Sequence, residues 1–134
     1  MNGDGVSDLV STHIDIVRGV TVLQVTGDVD MTTSDTVRGT LVTCLGTADS
    51  AVVLDLNEVT FLASSGLAVI IEALGYADQR GIAFAVVAGH RSVLCPLQAT
   101  SLDEVLIIHP GIDPAITALQ GTAAIAAPAG ADES

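Results

Sequence analysis

Short apolar runs of strand length alternate along the chain with segments whose apolar residues recur every three or four positions, and this alternation limits the fold more than any other feature. Residues 13–17 and 20–26 flank the turn-like pair Arg18-Gly19 and read as a hairpin, the second strand apolar on both faces. Gly27-Asp28-Val29-Asp30 is expected to break that strand, and Thr32, Thr33 or Ser34 to cap a first helix carrying Val37, Leu41, Cys44 and Leu45. Residues 51–56 read as a central strand, 57–65 as a connection, and Leu67, Ile70, Ile71, Leu74 and Ala77 as one face of a second helix from Gly66 onward. A strand over 82–88 follows, then a shorter helix within 91–102, in which Pro96 must occupy the first turn or distort it. A strand over 105–108 and a last helix, with Asp113 as N-cap, Pro114 at its first position and Ile116 and Leu119 on its buried side, complete the series. Strands joined through helices must run parallel, so the expectation is a single α/β domain with a mixed sheet of about five strands and about four helices.

The domain is expected over residues 12–120, between a flexible tail at 1–11 and a disordered, alanine-rich tail at 121–134. Net charge is -12, and all 4 basic residues are Arg, since the chain has no Lys. Such a balance excludes a phosphate-neutralising stripe for nucleic acid, polybasic docking on anionic lipid, a Schiff-base lysine and a lysine-bearing phosphate loop. Aromatic residues make up 2 %, too few for stacking platforms. No apolar run approaches the ~20 residues of a membrane span, and the acidic start lacks the pattern of a secretion signal, so a cytoplasmic location and no membrane insertion are expected. Cys44 and Cys95 lack metal or redox spacing; packing is the first reading, a redox-sensitive pair the second. His13, His90 and His109 are scattered, so neither a metal site nor a catalytic triad is expected, and no cofactor.

Chemistry concentrates in Leu54-Asp55-Leu56-Asn57-Glu58-Val59-Thr60-Phe61-Leu62-Ala63-Ser64-Ser65-Gly66-Leu67. A buried strand leads into two serines and a glycine at the first turn of an apolar helix, where free N–H groups and the helix dipole tolerate an attached phosphate. The same serines also serve as ordinary N-caps. A nucleophile elbow is excluded, because Ala63-Ser64-Ser65-Gly66 lacks its first glycine and sets the last one directly after the serine.

A strand ending Leu-Asp-Leu, followed by Val-x-Phe-Leu-x-Ser-Ser-Gly-Leu, resembles the signature of STAS domains of the anti-sigma factor antagonist type, and Gly27-Asp28-Val29-Asp30 resembles that family's Gly-x-x-Asp element. The resemblance spans roughly residues 13–120. It implies a non-enzymatic cytoplasmic phosphoprotein of transcription regulation, which binds an anti-sigma factor of the histidine-kinase-like ATPase type and so frees a sigma factor. Phosphorylation by that partner, which ends binding, is implied at Ser65, with Ser64 the alternative acceptor. Asp28, Asp30, Ala63, Ser64, Ser65, Gly66 and Leu67 are the implied partner-binding residues. Ala63 departs from the family, which usually has Asp before the two serines. The family also contains STAS scaffolding subunits of stress-signalling and lipid-transport complexes, the alternative function, in which no serine is phosphorylated.

Overall fold

A computed structural model describes residues 10–126, the side chains of 121–126 excepted. Strands β1 (Val10–Val17) and β2 (Val20–Val29) form the hairpin, closed by Arg18 and Gly19 at φ 52° and 81°. Positive φ at both turn positions is the two-residue arrangement that matches strand twist, and Gly19 makes half of it free of strain. Then follow α1 (Ser34–Thr47), β3 (Ala51–Leu62), α2 (Ser64–Arg80), β4 (Ala83–Val87), α3 (Arg91–Ala99), a 3-10 turn over Leu102–Glu104, β5 (Ile107–His109) and α4 (Ile112–Ala126). Sheet order is β1-β2-β3-β4-β5, with the first pair antiparallel and the others parallel. The expected α/β domain with five strands and four helices is thus what forms.

Period-two alternation divides the core. Leu23, Val25, Val52 and Leu54 pack with Leu41 and Leu45 of α1, Leu67, Ile70 and Ala73 of α2, and Val93 and Leu97 of α3. Val20, Val22, Ala51, Val53, Ala85 and Val87 face the other way, onto Ala115, Ile116 and Leu119 of α4. Strands apolar on both faces are therefore covered on both faces.

Several boundaries differ from the sequence reading. β2 is not broken at Gly27 but runs to Val29, and β3 extends through most of the expected connection to Leu62. Two irregularities make this possible: three β3 steps oppose two of β2 between Gln24↔Asp55 and Thr26↔Glu58, and two oppose one between Gly27↔Val59 and Asp28↔Phe61. Each is a bulge, which bends the strand and re-aims its side chains. α2 starts two residues before Gly66, and Ile71 is exposed because the buried arc includes Val69 and Ala73 instead. Pro96 lies inside α3, where the carbonyl deprived of a donor is that of exposed Ser92 in the first turn. α4 begins at Ile112, ahead of Asp113. β1 starts within the segment expected as an N-terminal tail, and α4 continues to Ala126; of the two expected tails, residues 1–9 and 127–134 lie outside the described residues.

Candidate functional site

The two bulges bring the ends of β2 and β3 together beneath the first turn of α2. At the first, the ladder loses a regular acceptor, and buried Asp55 supplies one: its Oδ1 accepts from Asn57 N–H at 3.0 Å while Gln24 Nε2 donates to Oδ2 at 3.3 Å. Asn57 then ties the neighbouring loops, donating to Pro110 O at 3.0 Å and accepting from Gly89 N–H at 2.7 Å. At the second bulge Thr60 Oγ1 donates to Asp28 Oδ1 at 2.5 Å. Ala63 N–H donates to Val29 O at 2.8 Å, fixing where the chain leaves the sheet.

The β2–α1 connection is held by its own side chains. Asp30 Oδ1 accepts from the amide and hydroxyl of Thr32 at 2.9 and 2.7 Å. Thr33 Oγ1 donates to Asp28 O at 2.7 Å and accepts from Asp30 N–H at 2.9 Å. These donors, the Thr32 hydroxyl foremost, hold the Asp30 carboxyl below its ordinary value. Thr33 is the residue preceding α1, as one of the three expected caps, yet its hydroxyl serves the loop and makes no cap bond.

Gly66 decides how closely α2 seats. A Cβ there would lie 2.7 Å from both Leu62 Cδ1 and Val29 Cγ1, so only glycine admits this approach of helix to strand ends. Ala63, the residue at the N-cap position, has no acceptor to offer; the amides of Gly66 and Leu67 use its carbonyl, at 2.9 and 3.1 Å. The N–H groups of Ser64 and Ser65 precede the first intrahelical bonds. Ser64 is exposed. The Ser65 hydroxyl points inward and, alone among the side-chain polar atoms of the described residues, is buried without a partner.

The sequence-expected residues are thus drawn together but do not share one exposure. Asp28 and Asp30 are half-buried on the adjoining strand end and loop, Ala63 is half-buried and Ser64 open. Gly66 and Leu67, expected on a docking surface, turn into the core: Gly66 faces Val29 and Leu62 where the helix seats closely, and Leu67 is buried in the same cluster. The surface beside the serines contains large apolar residues that motif reading missed: Met31 is 83 % exposed and Phe61 53 %. The signal was present, since Phe61 is one of only two phenylalanines and stands outside any helical or alternating stripe. Cys44 is buried under α1 and Cys95 exposed on α3, both as free thiols; burial pushes the Cys44 thiol up.

The family model for the STAS domain matches residues 11–115. The chain belongs to the STAS-domain family. A comparison with curated protein sequences gives no match. Among solved structures this STAS domain is similar to an anti-sigma factor antagonist from Mycobacterium paratuberculosis, with 29 % identity and a TM-score of 0.79 over 83 % of this chain and 94 % of that one. It also shares its fold with the anti-sigma factor antagonist SpoIIAA of Bacillus. The unphosphorylated form aligns with 15 % identity and a TM-score of 0.69 over 83 % of this chain and 97 % of that one. The phosphorylated form aligns with 14 % identity and a TM-score of 0.61 over 79 % and 96 %. Among the described residues no helix is long and apolar enough to cross a membrane.

Proposed function

We propose that this STAS domain is an anti-sigma factor antagonist whose docking surface, formed by the β2–α1 loop, the end of β3 and the first turn of α2, is switched off by phosphorylation of Ser65. The observation that carries the reading is the inward, unpartnered Ser65 hydroxyl at a helix start that lacks a side-chain cap. A buried hydroxyl without a partner costs roughly 1–3 kcal/mol, so turning it outward to a kinase sacrifices no hydrogen bond and relieves that penalty. The partner would supply ATP; its γ-phosphoryl group passes to the Ser65 oxygen, the hydroxyl proton leaves to a base on the kinase, and ADP departs. The domain itself contributes no catalysis.

A phosphate adds about -1.5 to -2 charges at pH 7. The first-turn amides of Ser64 and Ser65 would accommodate it, which keeps the fold intact. Its surroundings would not help docking. Asp28 and Asp30 flank the site, while three of the four arginines are committed elsewhere. Arg18 donates to Asp113 O and Thr117, Arg38 to Asp35 and Glu72, and Arg80 to Leu45 O and Gly46 O. An uncompensated phosphate in a desolvated contact lowers affinity about 100-fold, or two factors of about 1.4 kcal/mol.

One observation favours the scaffolding alternative: Ala63 leaves no carboxylate at the position directly before the two serines. Affinity capture from the native cell separates the readings. The antagonist retains an ATP-binding kinase of the histidine-kinase-like type, Ser65→Asp stays folded but loses it, and Ser65→Ala binds it but takes no phosphate, whereas Ser64→Ala behaves as the parent. Capture of a transporter ATPase instead, or equal binding by all variants, would overturn the switch.

A further inference from the structure

Of the two sheet edges, β5 has three residues and β1 has eight. β1 pairs with β2 from Val10 to Val17 without a register shift and contains no Pro and no bulge, so of the devices by which natural sheets blunt an edge it carries only the charge of Asp15. Among the described residues its extensive contact is with β2 alone, since α1 and α4 lie over more central strands. Ile14 and Ile16 are 47 % and 61 % exposed.

The hairpin fixes which backbone groups face outward. In a two-residue hairpin the pair flanking the turn, here Val17↔Val20, exchanges both hydrogen bonds, and bonded pairs then alternate: Asp15↔Val22, His13↔Gln24 and Ser11↔Thr26. The N–H and C=O groups of Thr12, Ile14 and Ile16 therefore point away from β2. In agreement, Ile16 N–H is taken up by the Asp15 carboxylate, at 2.9 Å, an exposed local bond that pairing with a further strand would exchange for one to a backbone carbonyl.

We propose that β1 pairs antiparallel with β1 of a second copy of this chain, about a two-fold axis at Ile14, so that one sheet runs through both molecules. Charge selects the register. Only alignments that match outward-facing residues can form the ladder. Centring on Ile14 sets His13 opposite Asp15 of the second copy twice, by symmetry. Centring on position 13 faces His13 with His13, and on position 15 sets two Asp15 carboxylates against each other. His13 and Asp15 fall at non-hydrogen-bonded positions, where paired side chains come closest, with Cα atoms about 4.5 Å apart. An imidazole N–H can then donate to the carboxylate. On the other face Ile14 meets Ile14, and Ile16 meets Thr12. A net charge of -12 on each chain opposes association, so the dimer is weak and concentration-dependent.

Sedimentation of the full chain from about 10 µM to about 1 mM in about 0.15 M salt tests this. The parent's average mass should rise from the 13.5 kDa monomer toward twice that value. Ile14→Lys, with an unchanged circular dichroism spectrum, should raise the dimer dissociation constant at least about tenfold. His13→Asp and Asp15→His should each be monomeric alone yet associate when mixed, because the mixed pair restores both imidazole–carboxylate contacts. A parent that stays monomeric throughout, a dimer indifferent to Ile14→Lys, or variants that fail to associate when mixed would each overturn the proposal.

Discussion

Two glycines of α2 offer a matched test of how this helix is seated. Adding a methyl group at Gly66 places it 2.7 Å from Leu62 Cδ1 and from Val29 Cγ1, well inside contact distance. Leu62 and Val29 are 5 % and 2 % exposed, so neither has free space to retreat into, and the Val29 branch is fixed at its own Cβ. Overpacking of this kind costs about 1–3 kcal/mol, against which alanine recovers up to about 1 kcal/mol of helix propensity. Gly66→Ala should therefore lose about 1–2 kcal/mol. At Gly75, on the exposed side of the same helix, a Cβ meets nothing within 4 Å. Gly75→Ala should gain about 0.5–1 kcal/mol from propensity and reduced unfolded-chain entropy. Urea titrations with a common m-value should place the two variants on opposite sides of the parent, about 1.5–3 kcal/mol apart. If Gly66→Ala is as stable as Gly75→Ala, the helix is not seated by that glycine and the account of the site's geometry is wrong.

Two further outcomes follow from the loop and the thiols. Asp30 titrates below its ordinary value when folded, so its contribution is complete above the unfolded-state pKa of about 3.9 and disappears as pH falls through the lower folded value. The urea midpoint of Asp30→Asn should accordingly fall less steeply than the parent's below about pH 5, and parallel curves would refute the role of the Thr32 and Thr33 donors. A thiol-labelling reagent should modify exposed Cys95 quickly and buried Cys44 only after unfolding, by mass spectrometry. An intramolecular Cys44–Cys95 disulfide formed in the native protein would refute this and restore the redox reading.

Periodicity carried the architecture because most of it is regular. Val37, Leu41 and Leu45 lie on one helical face, and Val52 and Leu54 alternate with Ala51 and Val53 between two cores. The reading failed where strands are irregular. Leu56, Val59 and Leu62 all enter the same core at intervals of three, which no straight strand permits, so the segment resembled a connection. Gly27, at φ 110°, looked like an end to β2, although a strand beside a bulge absorbs such a residue. In the site, Ser-Ser-Gly was legible from residue types and order alone. The inward turn of Ser65, the burial of Leu67 and the exposure of Phe61 were not, since each depends on how closely α2 lies on the strand ends.

The paired slips of β3 also constrain how the segment leading to the serines can vary in length. One slip alone would swap inside for outside in everything beyond it, sending Leu62 toward α4 and the next helix off the wrong side of the sheet. The second cancels the first, so that Leu54 and Leu62, eight positions apart in the chain, end on a common side. Parity is what the stretch preserves: adding or removing two residues leaves the serines on the correct layer, whereas adding or removing one does not.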